Sequence, residues 1–416
     1  MQSLGRYQLR GLIAAGGMAK VYLAQVVGEG GFERDVAVKV MHDHLLHDRD
    51  FVAMFLDEAR VAARIRHPNV VPTLDVQKTP SAMFLVMEFI EGLSLSNLLR
   101  QLRQRGQAGG GRSLDSDDDR SGKSQLLAPL PIDMALRITI DLLGGLHAAH
   151  ELTRRGGGPL HLVHRDVSPA NVLVGADGVS RITDFGVAQA EARLASTQGK
   201  ALKGKVPYMS PEQIGAAPVD RRSDVYSAAT VLWEMLTGRR LFHGSNEGAV
   251  LHQVTCGADT PPSQLNPDVP RAIDVVCMRA LSVEPQQRFG SAAAFADALE
   301  EVADVAGVTI ATIRRAASFV RQFETNLARL QTTESMMNVQ LGAPAPALLG
   351  AGAAVASAGA PVADSAQRIS VPSVGGTPPG AVLESSTVSR VEALSPGRWA
   401  AAVAAGIVAL LGGALL

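Results

Sequence analysis

Asp166, Asn171 and Asp184 stand in a segment otherwise rich in apolar residues, Leu162-Val163-His164-Arg165-Asp166-Val167-Ser168-Pro169-Ala170-Asn171-Val172-Leu173-Val174 and onward. A turn at Ala176-Asp177-Gly178 separates Val172–Val174 from Val179 and Ile182, so the two runs read as strands of a hairpin. Asp166 and Asn171 then lie on the loop entering the first strand, and Asp184 follows the second. The hairpin brings the three side chains to one point. Two carboxylates and an amide converging there suit Mg²⁺, which prefers hard oxygen ligands and shares them with substrate phosphates. Any one of the three is as readily a surface polar residue. The spacing H-R-D-x-x-x-x-N followed by D-F-G sets the group apart.

Other elements must position this loop. Tyr7-Gln8-Leu9 begins a strand pattern that runs into Ile13-Ala14-Ala15-Gly16-Gly17-Met18-Ala19-Lys20-Val21. Small residues between two strands let backbone N–H groups come close to a phosphate, although a plain hairpin turn reads the same way. Val36-Ala37-Val38-Lys39-Val40 is an apolar strand with one lysine inside it, a costly placement unless the ammonium is paired. A helix is predicted over Phe51–Ala62, stopped ahead of His67-Pro68. Met83–Glu88 reads as a strand leading into a connector at Phe89–Gly92. A long helix runs from Pro131 to about His150 and carries His147 and His150, either as packed residues or as a metal pair at i, i+3. Asp224 is expected to cap a further apolar helix, Ala228–Leu236, closed by Gly238. Helical patterning continues to about Val302, and Val308–Thr332 reads as one more amphipathic helix.

The 416 residues suffice for two or three domains. A net charge of −1 gives no support for a nucleic-acid-binding surface. Two cysteines, Cys256 and Cys277, are too few for a disulfide framework and read as small buried hydrophobes in a reducing compartment. The N-terminus has the look of a chain without a secretory leader. Residues 101–130, with Gly109-Gly110-Gly111 and an acidic run at Asp115–Asp119, read as a disordered insertion. Its cost is small, because loop closure grows only logarithmically with length. A helical extension is expected at 304–332, and an Ala/Gly/Ser/Pro-rich linker at 333–397. Residues 399–416 carry no charge, and at helical rise they span ~27 Å. Two readings stay open for this tail: a transmembrane anchor, or a buried or disordered end.

His164-Arg165-Asp166, Asn171 and Asp184-Phe185-Gly186 resemble the catalytic and metal-binding loops of the bacterial eukaryotic-type (Hanks-type) serine/threonine protein kinases. The resemblance covers about 7–303, roughly seven-tenths of the chain. It implies an α+β, two-lobed protein kinase fold: a small N-lobe of five antiparallel strands with one helix, and a larger, mainly helical C-lobe. It also implies transfer of the γ-phosphoryl of ATP to protein Ser/Thr hydroxyls with Mg²⁺ or Mn²⁺, and a homodimer for trans-autophosphorylation. By resemblance, Asp166 is the catalytic base, Lys39 held by Glu58 positions the α/β-phosphates, and Asn171 and Asp184 hold the metal. The Gly-rich loop Ile13–Val21 covers the phosphates, with Ala14 and Ala19 standing where the family has glycine. Ala37, the hinge residues Glu88 and Ile90, and Met87 guarding the back pocket would contact the nucleotide base. Val187–Lys203 matches an activation segment carrying Ser196 and Thr197, Ser210-Pro211-Glu212 brings Glu212, expected to pair with Arg288, and the resemblance implies that Asp224 also braces the catalytic loop. Ser168 stands where the family usually has a lysine beside the base, and Lys205 where it usually has threonine. The two are expected to have exchanged places, with Lys205 reaching the transferred phosphoryl and Ser168 bonding near Asp166. The depleted Gly-rich loop and Ser168 leave a second reading, a pseudokinase scaffold that binds partners without turnover.

Overall fold

The computed structural model describes residues 3–28, 31, 33–79, 82–108, 129–154, 156–185, 205–323 and 325. The N-lobe is an antiparallel sheet in the order β1-β2-β3-β4-β6-β5, formed by Ser3–Leu4, Tyr7–Ala15, Ala19–Val27, Glu33–Met41, Met83–Glu88 and Thr73–Lys78 respectively. The sheet has six strands rather than the expected five, because Ser3–Leu4 folds back to pair with Tyr7 and Gln8. Strand alternation sorts the side chains onto two faces. Val36, Val38, Phe84 and Val86 pack with Tyr7 on one face. Ala37, Met41, Leu85 and Met87 share the other with Phe55 of α1, Arg49–Ala62. Lys39 falls on this second face, where the cleft opens.

The C-lobe core surrounds α3 (Ile132–His150) and α5 (Arg221–Thr237), both nearly encased. Around them lie α2 (Leu95–Ala108), the single turn α4 (Pro211–Ile214), α6 (Glu247–Cys256), α7 (Arg271–Ala280), α8 (Ala292–Val305) and α9 (Ile313–Val320). A small sheet in the order β7-β8-β9, with β7 at Gly92–Ser94, β8 at Val172–Gly175 and β9 at Ser180–Ile182, is the predicted hairpin plus one hinge strand. The lobes meet where Val71 N–H donates to Ile182 O at 3.0 Å and Ile182 N–H to Asn69 O at 2.9 Å.

Several sequence expectations are corrected. The apolar phase of Leu98, Leu99 and Leu102 carries α2 to Ala108, so residues 101–108 are helix rather than insertion; 109–128 lie outside the described residues. The cap of α5 is Asp220, whose carboxylate accepts the Arg222 N–H at 2.8 Å; Asp224 lies one turn inside the helix with a different task. The final helix is shorter than expected, starting only after Thr312 accepts the Arg315 N–H at 3.2 Å. Cys277 is buried as expected, but Cys256, at the end of α6, is exposed. Residues 186–204, with Ser196 and Thr197, and everything beyond Thr325, including the linker and the tail, lie outside the described residues. Among the described residues no helix is long and apolar enough to cross a membrane.

Candidate active site

A cleft runs between the lobes. Its roof is Ile13, Ala14, Ala15, Val21 and Ala37, its back the hinge from Met87 to Ile90, and its floor Ala170, Leu173, Thr183 and Asp184. The sequence reading had not singled out Leu173, Thr183, Ser94, Ser96, Asn97 or Arg100, all of which line it. Gly16 and Gly17 are exposed at the tip of the β2–β3 turn, whereas Met18 and Ala19 are buried in the sheet core beneath it. A smaller cavity behind Met87 is lined by Phe55, Val70, Leu85 and Phe185.

The buried lysine finds its partner across the cleft. Lys39 Nζ lies 2.7 Å from Asp184 Oδ1. Glu58, its expected partner, sits on α1 with a side chain outside the described part of the structure. Burial pushes the Asp184 carboxyl up, but the charge and hydrogen bond of Lys39 outweigh it and hold the group below its ordinary value. Asp184 adopts φ +64° and Arg165 φ +66°, left-handed conformations that are costly for residues with a Cβ and are held here by the surrounding bonds.

Those bonds form a scaffold beneath the site. His164 accepts the Asp166 N–H at Nδ1 (3.2 Å) and donates from Nε2 to Thr183 O (2.9 Å), so one imidazole ties the loop of Asp166 to that of Asp184. Phe185 packs edge-on against that ring, with centroids 4.6 Å apart. The fully buried Asp224 accepts the backbone N–H groups of His164 (2.8 Å) and Arg165 (2.9 Å), and its Oδ2 lies 2.7 Å from His150 Nε2. Burial works against the Asp224 carboxylate, and these partners, His150 first, outweigh it and keep its pKa low. His150 is therefore a support of the loop rather than half of a metal pair with His147. Gln213 donates to Arg165 O at 2.9 Å from the other side.

At the centre, both amide N–H groups of Asn171 go to Asp166, one to its carbonyl and one to Oδ2, each at 2.8 Å. Lys205 Nζ lies 2.8 Å from the same Oδ2. Thr183 N–H donates to Asn171 O at 3.0 Å, which locks the two arms of the hairpin. Ser168 is buried in extended conformation; its carbonyl accepts the Asn171 N–H, and its hydroxyl makes no hydrogen bond to Asp166. Glu212 and Arg288 form a two-pronged pair at 2.7 and 2.8 Å, with the Arg288 side chain fully buried.

Residues 7–294 match the family model of protein tyrosine and serine/threonine kinases, and the chain belongs to that family. It is 39% identical over 300 residues to the tyrosine-protein kinase MasK of Myxococcus xanthus, covering 72% of this chain and 43% of that protein. It is 33% identical over 293 residues to the serine/threonine-protein kinase PknB of Mycobacterium leprae, covering 69% and 41%. With the serine/threonine-protein kinase PrkC of Bacillus subtilis it shares 30% over 289 residues, covering 69% and 39%. The chain thus spans less than half the length of these relatives. Among solved structures, the kinase domain of Mycobacterium tuberculosis PknI is similar at a TM-score of 0.52 and 26% identity, covering 73% of this chain and 98% of that one.

Proposed function

We propose that this chain is an ATP-dependent protein kinase that transfers the γ-phosphoryl group to serine or threonine hydroxyls of proteins, with residues 7–303 as the catalytic domain. The observation that carries this reading is the joined set Lys39–Asp184 and Asp166–Asn171 at the floor of one cleft. ATP fits that cleft with its base against the hinge of Glu88 and Ile90, beside Met87, Ala37 and Val21, under a roof of small residues whose backbone N–H groups face phosphate. Lys39 orients the α/β-phosphates and Glu58 supports it. Asp166 orients the acceptor hydroxyl and takes its proton as the bond to phosphorus forms. Lys205 sets a positive charge where negative charge grows on the transferred group.

A divalent cation belongs to this chemistry. Among the described residues no group of three or more His, Cys, Asp and Glu forms a ready-made cage. The donors that fit are the Asp184 carboxylate and the Asn171 amide oxygen, whose N–H groups are already committed to Asp166. A pair of hard oxygens completed by phosphate and water is how Mg²⁺, or Mn²⁺ in its place, is commonly held. When bound, the ion offsets charge on the phosphates.

The intact set of Lys39, Asp166, Asn171 and Asp184 speaks against a non-catalytic scaffold. The names of PknB and PrkC favour serine and threonine as acceptors, while that of MasK specifies tyrosine, so phosphoamino-acid analysis of the product is part of the test. The decisive variant is Asp166→Asn. It is expected to abolish transfer from γ-labelled ATP while leaving nucleotide affinity nearly unchanged. Near-normal phosphorylation by this variant would remove Asp166 from its role. Regulation by trans-autophosphorylation on the activation segment, and anchoring of a cytoplasmic kinase domain to the inner membrane through 399–416, complete the reading.

A further inference from the structure

The family match ends at residue 294, but the folded chain continues. Beyond α8 it crosses the start of α3: Ala311 N–H donates to Asp133 O at 3.1 Å, Arg137 Nε donates to Ala311 O at 2.8 Å, and Arg315 pairs with Asp133. Helix α9 then lies directly on the β8–β9 turn. Gly178 in that turn has φ +87°, and a Cβ there would stand 2.1 Å from Ile313 O and 2.8 Å from Ala317 N, so only glycine lets the helix come this close. Ala316, Ala317, Val320 and Phe323 are all buried.

The far end of this strap reaches the nucleotide cleft from behind. Arg321 Nη1 donates to Ala176 O at 3.1 Å, and Ala176 N–H donates to the carbonyl of Glu91, the residue that directly follows the hinge, at 2.7 Å. Two bonds therefore connect the strap to the hinge. The Arg105 guanidinium of α2 stacks 4.1 Å from the Phe323 ring centroid and also donates to Gln322 O. Helix α2 carries Ser96, Asn97 and Arg100 into the cleft. One short segment thus grips two walls of the nucleotide site, the hinge and α2.

We propose that Arg321 and Phe323 are positioning residues for the nucleotide site, and that residues 306–323 form a strap whose docking sets nucleotide affinity. The proposal rests on reading the cleft as the ATP site. The strap preorganises the hinge and α2, so an undocked strap leaves a looser site that spends binding free energy on ordering itself. Whatever acts on the chain beyond Thr325 then has a mechanical route to the cleft. A strap that merely covered the C-lobe would contribute stability through Asp133, Arg137 and the buried alanines, and its distal end would be immaterial to nucleotide.

The test uses the full chain and measures the Kd of Mg-ATP by calorimetry, together with KM and kcat. Arg321→Ala and Phe323→Ala are expected to weaken ATP about three- to tenfold, the scale of coupling carried by such contacts. The kcat at saturating ATP should stay within about twofold. Arg321→Lys, which keeps a donor, should recover most of the affinity. Arg315→Ala removes a largely exposed ion pair with Asp133 but keeps the seat of α9 on Gly178 and the distal bond of Arg321, so it should leave affinity unchanged. Unaltered affinity in both distal variants, whatever happens to their melting temperatures, overturns the proposal. If the wild-type chain binds ATP and the distal variants weaken it, but no phosphoryl group is transferred, the kinase reading fails and the strap stands. A wild-type chain that binds no ATP overturns both.

Discussion

In the proposed reading Asp166 is the residue on which the chemistry turns, and its carboxylate is already crowded. One oxygen, Oδ2, receives both an Asn171 N–H and the Lys205 ammonium. The Lys205 ammonium is thereby held beside Asp166. In that reading the value of Lys205 lies in the charge it brings to the reaction centre, where negative charge develops on the transferred group. A charge so aimed is worth roughly 2–4 kcal/mol, or about 30- to 1000-fold in rate. Lys205→Ala is therefore expected to lower kcat by that factor in steady-state assays, and Ser168→Lys combined with Lys205→Thr to regain part of it. A kcat for Lys205→Ala within about threefold of wild type would mean a solvated lysine that happens to rest on Asp166.

Among the elements, the joint between α4 and α5 supports the loop system from below. Arg288 reaches it through both oxygens of Glu212, the Arg222 carbonyl at 3.0 Å and the Val283 carbonyl at 2.8 Å, while Ser223 Oγ donates to Glu212 Oε1 at 2.5 Å. Removing one partner of such a buried pair costs about 3–5 kcal/mol, because the other charge is left stranded. Arg288→Met should thus lower the melting temperature by several degrees, and Glu212→Gln on that background should restore part of it. The pH dependence has a definite sign. Burial pushes the Glu212 carboxyl up, but Arg288 and Ser223 outweigh it and hold the group below its ordinary 4.5. A depressed carboxyl contributes stability that is present above its unfolded pKa and lost as pH falls through the folded value. The gap in melting temperature between wild type and Arg288→Met is therefore expected to be widest near neutrality and to narrow below about pH 4.5. A gap that stayed constant across that range would show the loss to be packing alone.

At the scale of the whole molecule, the kinase domain matched over residues 7–294 is followed by the proposed strap, and the sequence then runs through an Ala/Gly/Ser/Pro-rich stretch to an uncharged tail at 399–416. Activation by phosphate on the segment between Phe185 and Lys205 would use Arg165, adjacent to the base, as a charge-assisted partner. Mass spectrometry of active protein is expected to find phosphate on Ser196 or Thr197, and the double alanine variant to lose activity. Full activity of that variant would exclude this switch. If 399–416 anchors the chain, full-length protein should sediment with membranes while a form ending at Pro396 stays in the supernatant. Equal partitioning of the two forms would end the anchor reading.

Local pattern alone determined much of this protein. The alternation of Val172–Val174 and Val179–Ile182 around a glycine turn specified the hairpin, because side-chain period and turn chemistry are properties of neighbouring residues. The same holds for the strand bearing Lys39, for the helices of Pro131–His150 and Ala228–Leu236, and for the stop at Gly238, which sits at φ +65°. From the sequence it followed that a lysine in an apolar strand needs an anion. That Asp184 supplies one, 145 positions away, was decided by the packing of one lobe against the other. Local pattern made Asp224 a helix cap, yet Asp220 captured the local N–H group; the bracing of the catalytic loop that the resemblance implied is what Asp224 does, together with His150 from a distant part of the chain. The strap beyond Val305 reads in sequence as one amphipathic helix. Its breaks, its seat on Gly178 and its reach to the hinge depend on surfaces that exist only once the C-lobe has folded, because non-local contacts are specified by shape and burial rather than by spacing along the chain.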